Sequence, residues 1–127
     1  MKRAFLLAVA TAAAIVVPAA AASAKTATTV TLDDVFIVPV ETHWDGDVKS
    51  SRKACKSKRR VLVFRVQPGA DERIGSTRSY KGKSSPGYFW SLVKDGVTPN
   101  GDYYAKVRPT DTCKGDRSET LSFTGAP

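Results

Sequence analysis

The sequence of 127 residues has little of what enzyme sites are usually built from: it contains one histidine, two cysteines and no Cys-x-x-Cys pair. A nucleophilic triad would have to use His43, and the Gly-x-Ser-x-Gly turn that presents a catalytic serine occurs nowhere in the chain. His43 stands beside Trp44 just before an Asp-Gly turn signal, which favours a solvent-side histidine. We therefore expect no catalytic residue, no cofactor and no enzymatic activity.

Oxygen ligands for a metal ion are equally sparse. Exported β-sandwiches sometimes hold calcium between loops, and the candidate ligands here are Asp33, Asp34, Asp45 and Asp47. The Asp-Gly-Asp spacing at 45–47 matches no calcium-binding loop, and acidic residues are common in turns. We expect no metal site.

Helical periodicity is missing from the chain after residue 24, where no apolar repeat at helical spacing is long enough to form a helix. Instead, about seven short segments of β-branched and aromatic residues are separated by turn signals at roughly ten-residue intervals. This pattern predicts an all-β fold, a single antiparallel β-sandwich with two packed sheets.

The segment Cys55–Val66, with the sequence CKSKRRVLVFRV, organises this pattern. A short apolar run with charge before it and Pro68-Gly69 after it predicts a central strand buried on both faces. Pro39 cannot donate to a sheet ladder, so the strand before it is predicted at an edge. Asp45-Gly46 predicts a turn. The alternation in Tyr103–Val107 predicts that Tyr103, Ala105 and Val107 share one face.

The first 24 residues have the composition of a secretory leader. Lys2 and Arg3 precede an apolar stretch, Ala4–Val17, which is too short to span a bilayer, and Ala22-Ser23-Ala24 is a small-x-small cleavage site. We expect cleavage near Ala24, one domain over residues 25–127, and a secreted product without a membrane span. Loss of Lys2 and Arg3 lowers the formal charge from +8 to +6.

Two cysteines in an exported chain are most simply one disulfide, here between Cys55 and Cys113. Such a bridge would tie the predicted central strand to the far end of the chain and, on the chain-entropy model, stabilise the fold by about 4 kcal/mol. The alternative is a pair of free thiols that bind a metal or act as a nucleophile.

A proline stands four residues before the tyrosine that opens the last alternating strand, in Val97–Tyr103. This spacing resembles the tyrosine corner of immunoglobulin-like and fibronectin type III domains, in which the tyrosine hydroxyl bonds to backbone a few residues upstream. We assign that role to Tyr103. The alternative is an ordinary core tyrosine, and both roles are structural.

A wider set of motifs covers Gly46–Phe123: GDVKSS, Cys55, RRVLVFRV with PGADERIGST, a Gly-containing loop, GDYYAKV, and Cys113 followed by Arg117-Ser118. Together they resemble small exported β-sandwich domains of high-GC Gram-positive bacteria, which are grouped with immunoglobulin-like, carboxypeptidase-regulatory-like or prealbumin-like modules. The resemblance implies a non-catalytic fold with bridged cysteines, and it carries no catalytic residue to this chain. Some relatives form Lys–Asn cross-links, but no matching motif surrounds Asn100.

The densest charge feature is a basic run with seven positive residues and no acidic one: Lys49, Arg52, Lys53, Lys56, Lys58, Arg59 and Arg60. A charge run is usually a solvated loop. A run this dense also creates a positive potential that attracts polyanions, with a steep dependence on salt. For an exported protein the partner would be a cell-wall polymer, an acidic polysaccharide, anionic lipid head groups or extracellular DNA, and not intracellular nucleic acid.

Aromatic residues point to a second kind of contact, because exposed aromatics bind sugars and protein partners. They concentrate in the second half of the chain, at Tyr80, Tyr88, Phe89, Trp90 and Tyr104. Alternation in YFWSLV predicts Tyr88 and Trp90 on one face and Phe89 and Leu92 mostly on the other.

The function expected from these features is that of an exported, non-catalytic binding or structural module at or beyond the cell surface. One alternative is a polyanion-binding module that uses the basic run. Another is an inhibitor of a secreted protease, with the loop Lys81–Gly87 presented to the protease cleft. A protein partner among other exported proteins is also compatible, since fold alone does not choose a function.

Overall fold

Segments rich in valine, threonine and aromatic residues form ten strands in the computed structural model, which describes residues 24–127. The strands are β1 (Thr29–Val30), β2 (Asp34–Val38), β3 (Glu41–Lys49), β4 (Arg60–Arg65), β5 (Glu72–Arg78), β6 (Tyr80–Lys81), β7 (Tyr88–Asp95), β8 (Gly101–Val107), β9 (Asp116–Arg117) and β10 (Leu121–Phe123). A 3₁₀ turn, Lys53–Cys55, precedes β4. The leader predicted at residues 1–24 lies outside the described residues, except for Ala24.

Two antiparallel sheets pack on each other, so the predicted β-sandwich is confirmed. Sheet 1 contains β1, β2, β3, β6 and β7, and sheet 2 contains β4, β5, β8, β9 and β10. The strand count is ten rather than about seven because the sheet edges are interrupted. β1 and β2 pair with successive parts of β3, and β10 and β9 pair with successive parts of β8.

The central-strand prediction is confirmed for β4, which pairs with β5 on one side and with β8 on the other. Val61 and Val63 are fully buried between the sheets, and Leu62 is buried on the opposite face. Phe64 is half-buried, so burial on both faces covers only the first half of the strand. The edge prediction is also confirmed, because β2 pairs only with β3 and ends immediately before Pro39.

The core lies between the sheets and is built from alternate residues of β3, β7 and β8. Trp44 and Trp90 are almost completely buried there, and Tyr103, Ala105 and Val107 line the same space as the alternation predicts. These large apolar side chains supply most of the burial that stabilises a domain of this size.

One assignment of faces is wrong. Leu92 belongs to the core with Trp90, whereas Phe89 lies on the outer side of sheet 1. Residues two apart in a strand share a face, so Leu92 lies on the same face of β7 as Trp90.

The turn predicted at Asp45-Gly46 is also wrong, because β3 runs without interruption from Glu41 to Lys49. Gly46 is needed for close packing: a Cβ there would lie 1.9 Å from the Thr31 carbonyl oxygen and 2.6 Å from the Trp90 Nε1. That indole N–H donates to the same carbonyl oxygen at 2.9 Å. A glycine within a strand often marks such a close approach.

Tyr103 makes the contacts expected of a tyrosine corner. Its hydroxyl donates to the Pro99 carbonyl oxygen at 2.6 Å and lies 2.7 Å from the Thr98 Oγ1. The connection between β7 and β8 is therefore fastened to the first core residue of β8.

We predict that Tyr103→Phe lowers the free energy of unfolding by about 1 kcal/mol, because it removes these bonds and leaves the buried Thr98 hydroxyl short of a partner. Urea denaturation measures the change. Tyr80→Phe is the matched control, since Tyr80 is 51% exposed and its loss of a hydroxyl is expected to be neutral. Equal stability of native protein and Tyr103→Phe would remove the corner role.

Candidate anion-binding site

The basic run spans the end of β3, the 3₁₀ turn and the start of β4. Its residues do not share one environment. Arg59 is only 5% exposed and Lys56 is half-buried. The other five residues are exposed: Lys49, Arg52, Lys53, Lys58 and Arg60. The positive surface is therefore smaller than the sequence suggests, and Arg59 has another role.

Arg59 is a structural residue that uses its guanidinium to join loops. Its Nη1 donates to the Thr28 Oγ1 at 3.0 Å and to the Cys55 carbonyl oxygen at 2.9 Å. Its Nη2 donates to the carbonyl oxygens of Arg108 and Lys114 at 2.8 and 2.9 Å. Burial lowers the pKa of the guanidinium, which nevertheless stays charged because an arginine titrates far above neutral pH. Its donors are directed inward, so we exclude Arg59 from the surface open to an external anion.

The bonds of Arg59 meet beside the disulfide, which the structure confirms between Cys55 and Cys113 with a Cα–Cα distance of 5.5 Å. The N-terminal segment lies against the same place, since the Thr26 N–H donates to the Thr112 carbonyl oxygen and the Lys114 N–H donates to the Thr26 carbonyl oxygen. We call this region, formed by Arg59, the disulfide and the carbonyls around them, the Arg59 junction. It fixes the 3₁₀ turn and the loop after β8 relative to each other.

An adjacent cleft of about 270 Å³ lies on the outer side of sheet 2. Four basic residues other than Arg59 line it, and we call it the arginine cleft: Lys58, Arg60, Arg78 and Arg108. Leu62 and Pro109 provide apolar surface and Ser57 and Thr110 provide hydroxyls, and none of the acidic residues within 24–127 lines the cleft. Guanidinium groups bind carboxylate, sulfate or phosphate oxygens with two parallel donors.

Pairing of strands brings these residues together. Arg60 of β4 lies directly opposite Arg78 of β5, and Arg108 follows the last residue of β8. Arg78 also donates to the Lys58 carbonyl oxygen at 3.0 Å, which joins β5 to the segment before β4. The sequence predicted Lys58 and Arg60 but missed Arg78 and Arg108. Nothing in their local sequence marks them, because only the register of β4 with its neighbours places them there.

Farther along sheet 2 the positive outer surface continues as a stacked cluster. The Arg117 guanidinium lies 3.7 Å from the centre of the Tyr104 ring, which stacks on Phe64 at 5.3 Å. The Tyr104 hydroxyl donates to the Asp71 carboxylate at 2.6 Å. That bond, with the Gln67 N–H, lowers the pKa of Asp71, while burial and Asp71 raise the pKa of Tyr104. Tyr104 is thus covered and lies on the other sheet from the remaining predicted aromatics.

Those remaining aromatics lie on sheet 1, where only part of their surface is open. Tyr88 and Trp90 are buried, Phe89 is half-buried, and Tyr80 is half exposed with its ring 6.5 Å from the Phe89 ring. A continuous aromatic patch is therefore not formed. The loop between β6 and β7 is exposed and closed by a bond from the Gly82 N–H to the Gly87 carbonyl oxygen.

His43 lies in the middle of β3 rather than before a turn. Its ring stacks on Phe36 with centres 4.8 Å apart, and its Nε2 is 3.5 Å from the Glu41 carboxylate. This arrangement is a partly exposed cross-strand pair on the outer side of sheet 1.

Within residues 24–127, the histidines, cysteines and acidic residues form no group of three or more that would suit a metal ion. The same part of the chain has no helix with the length and apolar character needed to cross a membrane. No family model matches the sequence, and the search of curated proteins returned no match.

Proposed function

We propose that this protein is an exported, non-catalytic β-sandwich module that binds an acidic polymer at or beyond the cell surface. The arginine cleft carries this proposal, because four basic side chains converge there on an apolar floor without any acidic residue among the lining groups. The exposed part of the basic run extends the positive surface on one side. Lys106 and Arg117 extend it on the other, since Lys106 of β8 lies opposite Leu62 of β4 and Arg117 of β9 lies opposite Lys106.

Electrostatics favour a polymer over a small anion. Basic residues spread along strand ends and a loop act together on a long chain of negative charges, and each contact releases counterions from the polymer. A cleft of about 270 Å³ can hold one charged group, while neighbouring residues contact the groups before and after it. Export is supported by the predicted leader and by the disulfide, which persists in oxidising compartments.

The test is heparin binding across a salt series by the purified domain over residues 25–127, compared with the triple variant Arg60→Gln, Arg78→Gln, Arg108→Gln. We expect the slope of log affinity against log salt to fall in magnitude by about 2 to 3, roughly one for each lost contact. Arg59 is left unchanged, because its loss would damage the fold instead of the surface.

A variant with the same change of charge separates a site from a general attraction. Lys25→Gln, Arg73→Gln and Lys94→Gln change three exposed basic residues that do not line the cleft. If the proposal is right, the slope of log affinity against log salt for this variant stays close to that of native protein. Equal weakening by both triple variants would show that only the net charge of the protein matters, and weak binding by the native protein at low salt would exclude polyanion binding altogether.

A further inference from the structure

A second depression, of about 380 Å³, lies at the end of sheet 1 between the end of β3 and the loop before β7. We call it the Tyr88 groove. Its charged and hydroxyl-bearing lining consists of Asp47, Lys49, Ser50, Lys56 and Ser85, and its aromatic lining consists of Tyr88 and Phe89. Ser50 and Lys56 line the groove and Ser57 and Lys58 line the arginine cleft, so both sites border the segment 50–58.

The groove differs from the arginine cleft because it contains a carboxylate. Asp47 lines the groove together with Lys49 and Lys56, and within residues 24–127 no hydrogen bond is made to its carboxylate. Burial and the nearby Asp33 raise the pKa of Asp47, while Lys49 lowers it. A carboxylate with free acceptor capacity, in an otherwise basic groove, favours a ligand that brings hydrogen-bond donors.

The other lining groups fit a ring with hydroxyls and an acidic substituent. The Lys56 ammonium lies over the buried Tyr88 ring, 5.3 Å from its centre, so the aromatic surface of the groove is that of Phe89, which lies directly opposite Asp47 in the register of β3 and β7. The lysines can pair with an acid group, Asp47 can accept from hydroxyls, and the half-buried Phe89 with Pro86 offers apolar contact for C–H groups. A polyphosphate offers acceptors only, so Asp47 repels it.

We propose that the Tyr88 groove binds a sugar ring and that the polymer recognised by this protein is an acidic polysaccharide. This inference rests on the proposed function, since it names the chemical class of the polyanion. Asp47 distinguishes the sugar polymer, whose hydroxyls it accepts, from polymers that carry negative charge without donors.

The test compares oligogalacturonate, which has sugar hydroxyls and carboxylates, with inorganic polyphosphate of similar charge, using native protein and Asp47→Ala. Removing a negative charge from a basic surface strengthens the binding of any ligand that is held by charge alone. We expect Asp47→Ala to bind polyphosphate as tightly as native protein or more tightly, and to bind oligogalacturonate about fivefold more weakly through lost hydrogen bonds.

Asp45→Ala is the matched control. Asp45 lies two residues earlier on the same face of β3 but does not line the groove, so this variant is expected to strengthen the binding of both ligands. Asp47→Ala should fold normally, because a carboxylate whose pKa is raised in the folded state is less favourable there than in the unfolded chain at neutral pH. Thermal unfolding checks this point.

The results separate the two proposals. Tighter binding of both ligands by Asp47→Ala would overturn the sugar assignment and leave polyanion binding in place. Failure of native protein to bind either ligand would overturn the proposed function and this inference with it. Opposite changes for the two ligands in Asp47→Ala, together with parallel changes in Asp45→Ala, would support the assignment.

Discussion

Replacing Arg59 with alanine is expected to lower the free energy of unfolding by about 4 kcal/mol, although six other basic residues stand within the same run. The substitution leaves three carbonyl oxygens without their donor, that of Cys55 in a buried place and those of Arg108 and Lys114 in a partly buried one. Each unsatisfied buried group costs about 1 to 3 kcal/mol, and entry of water offsets part of the total. Urea denaturation with the disulfide intact measures the change.

Arg60→Ala is the control for this experiment, because it removes the next residue in the chain, an exposed arginine of the same chemistry. It is expected to change stability by no more than about 0.5 kcal/mol. Arg59→Lys should recover only part of the loss, since one ammonium cannot donate in the directions that a planar guanidinium covers. If Arg59→Ala and Arg60→Ala unfold at the same urea concentration, the junction does not hold the fold together.

Removing the disulfide through Cys55→Ala with Cys113→Ala is the second change with a large expected effect. The bridge closes a separation of 58 residues, and on the chain-entropy model its loss lowers the free energy of unfolding by about 4 kcal/mol. For a domain of about 100 residues this corresponds to a fall in melting temperature of roughly 15 to 25 °C. Thermal unfolding of the double variant beside native protein measures it.

The disulfide and Arg59 are expected to act on one unit, so their effects should not add. Once the bridge is absent, the loop after β8 is freer to move away, and loss of Arg59 then costs less than it does in native protein. The variant lacking both would therefore be more stable than the sum of the separate losses predicts. Strict additivity would show that the bridge and the guanidinium support different parts of the molecule.

The sequence predicted the features that depend on local patterns. The apolar run after the basic residues became β4, the alternation around Tyr103 became the core face of β8, and Pro39 ended an edge strand. Each of these signals is contained within a few neighbouring residues. Alternation of apolar and polar residues identifies a strand and its two faces even when the neighbouring strands are unknown.

The remaining features depend on residues that are distant in sequence. The sequence around Gly46 predicts a turn, because the Trp90 indole and the Thr31 carbonyl that pack against this glycine are distant in sequence. Arg59 has the same local sequence character as Arg60, and only the convergence of three carbonyl oxygens, one from the 3₁₀ turn and two from the loop after β8, identifies it as buried. Arg78 and Arg108 join the arginine cleft through strand register, which no local motif encodes.

Burial of the bridge in the Arg59 junction has a consequence for its reactivity. The two cysteines are 0% and 2% exposed, so a thiolate reductant cannot approach a sulfur atom until the surrounding segments open. We therefore expect reduction in native buffer to require the loss of the two hydrogen bonds that join Thr26 to the loop after β8, either by local opening or by global unfolding. The rate at which dithiothreitol reduces the disulfide then measures the rate of that opening. In an environment containing thiols, we expect the protein to keep its disulfide for as long as the N-terminal segment stays in place.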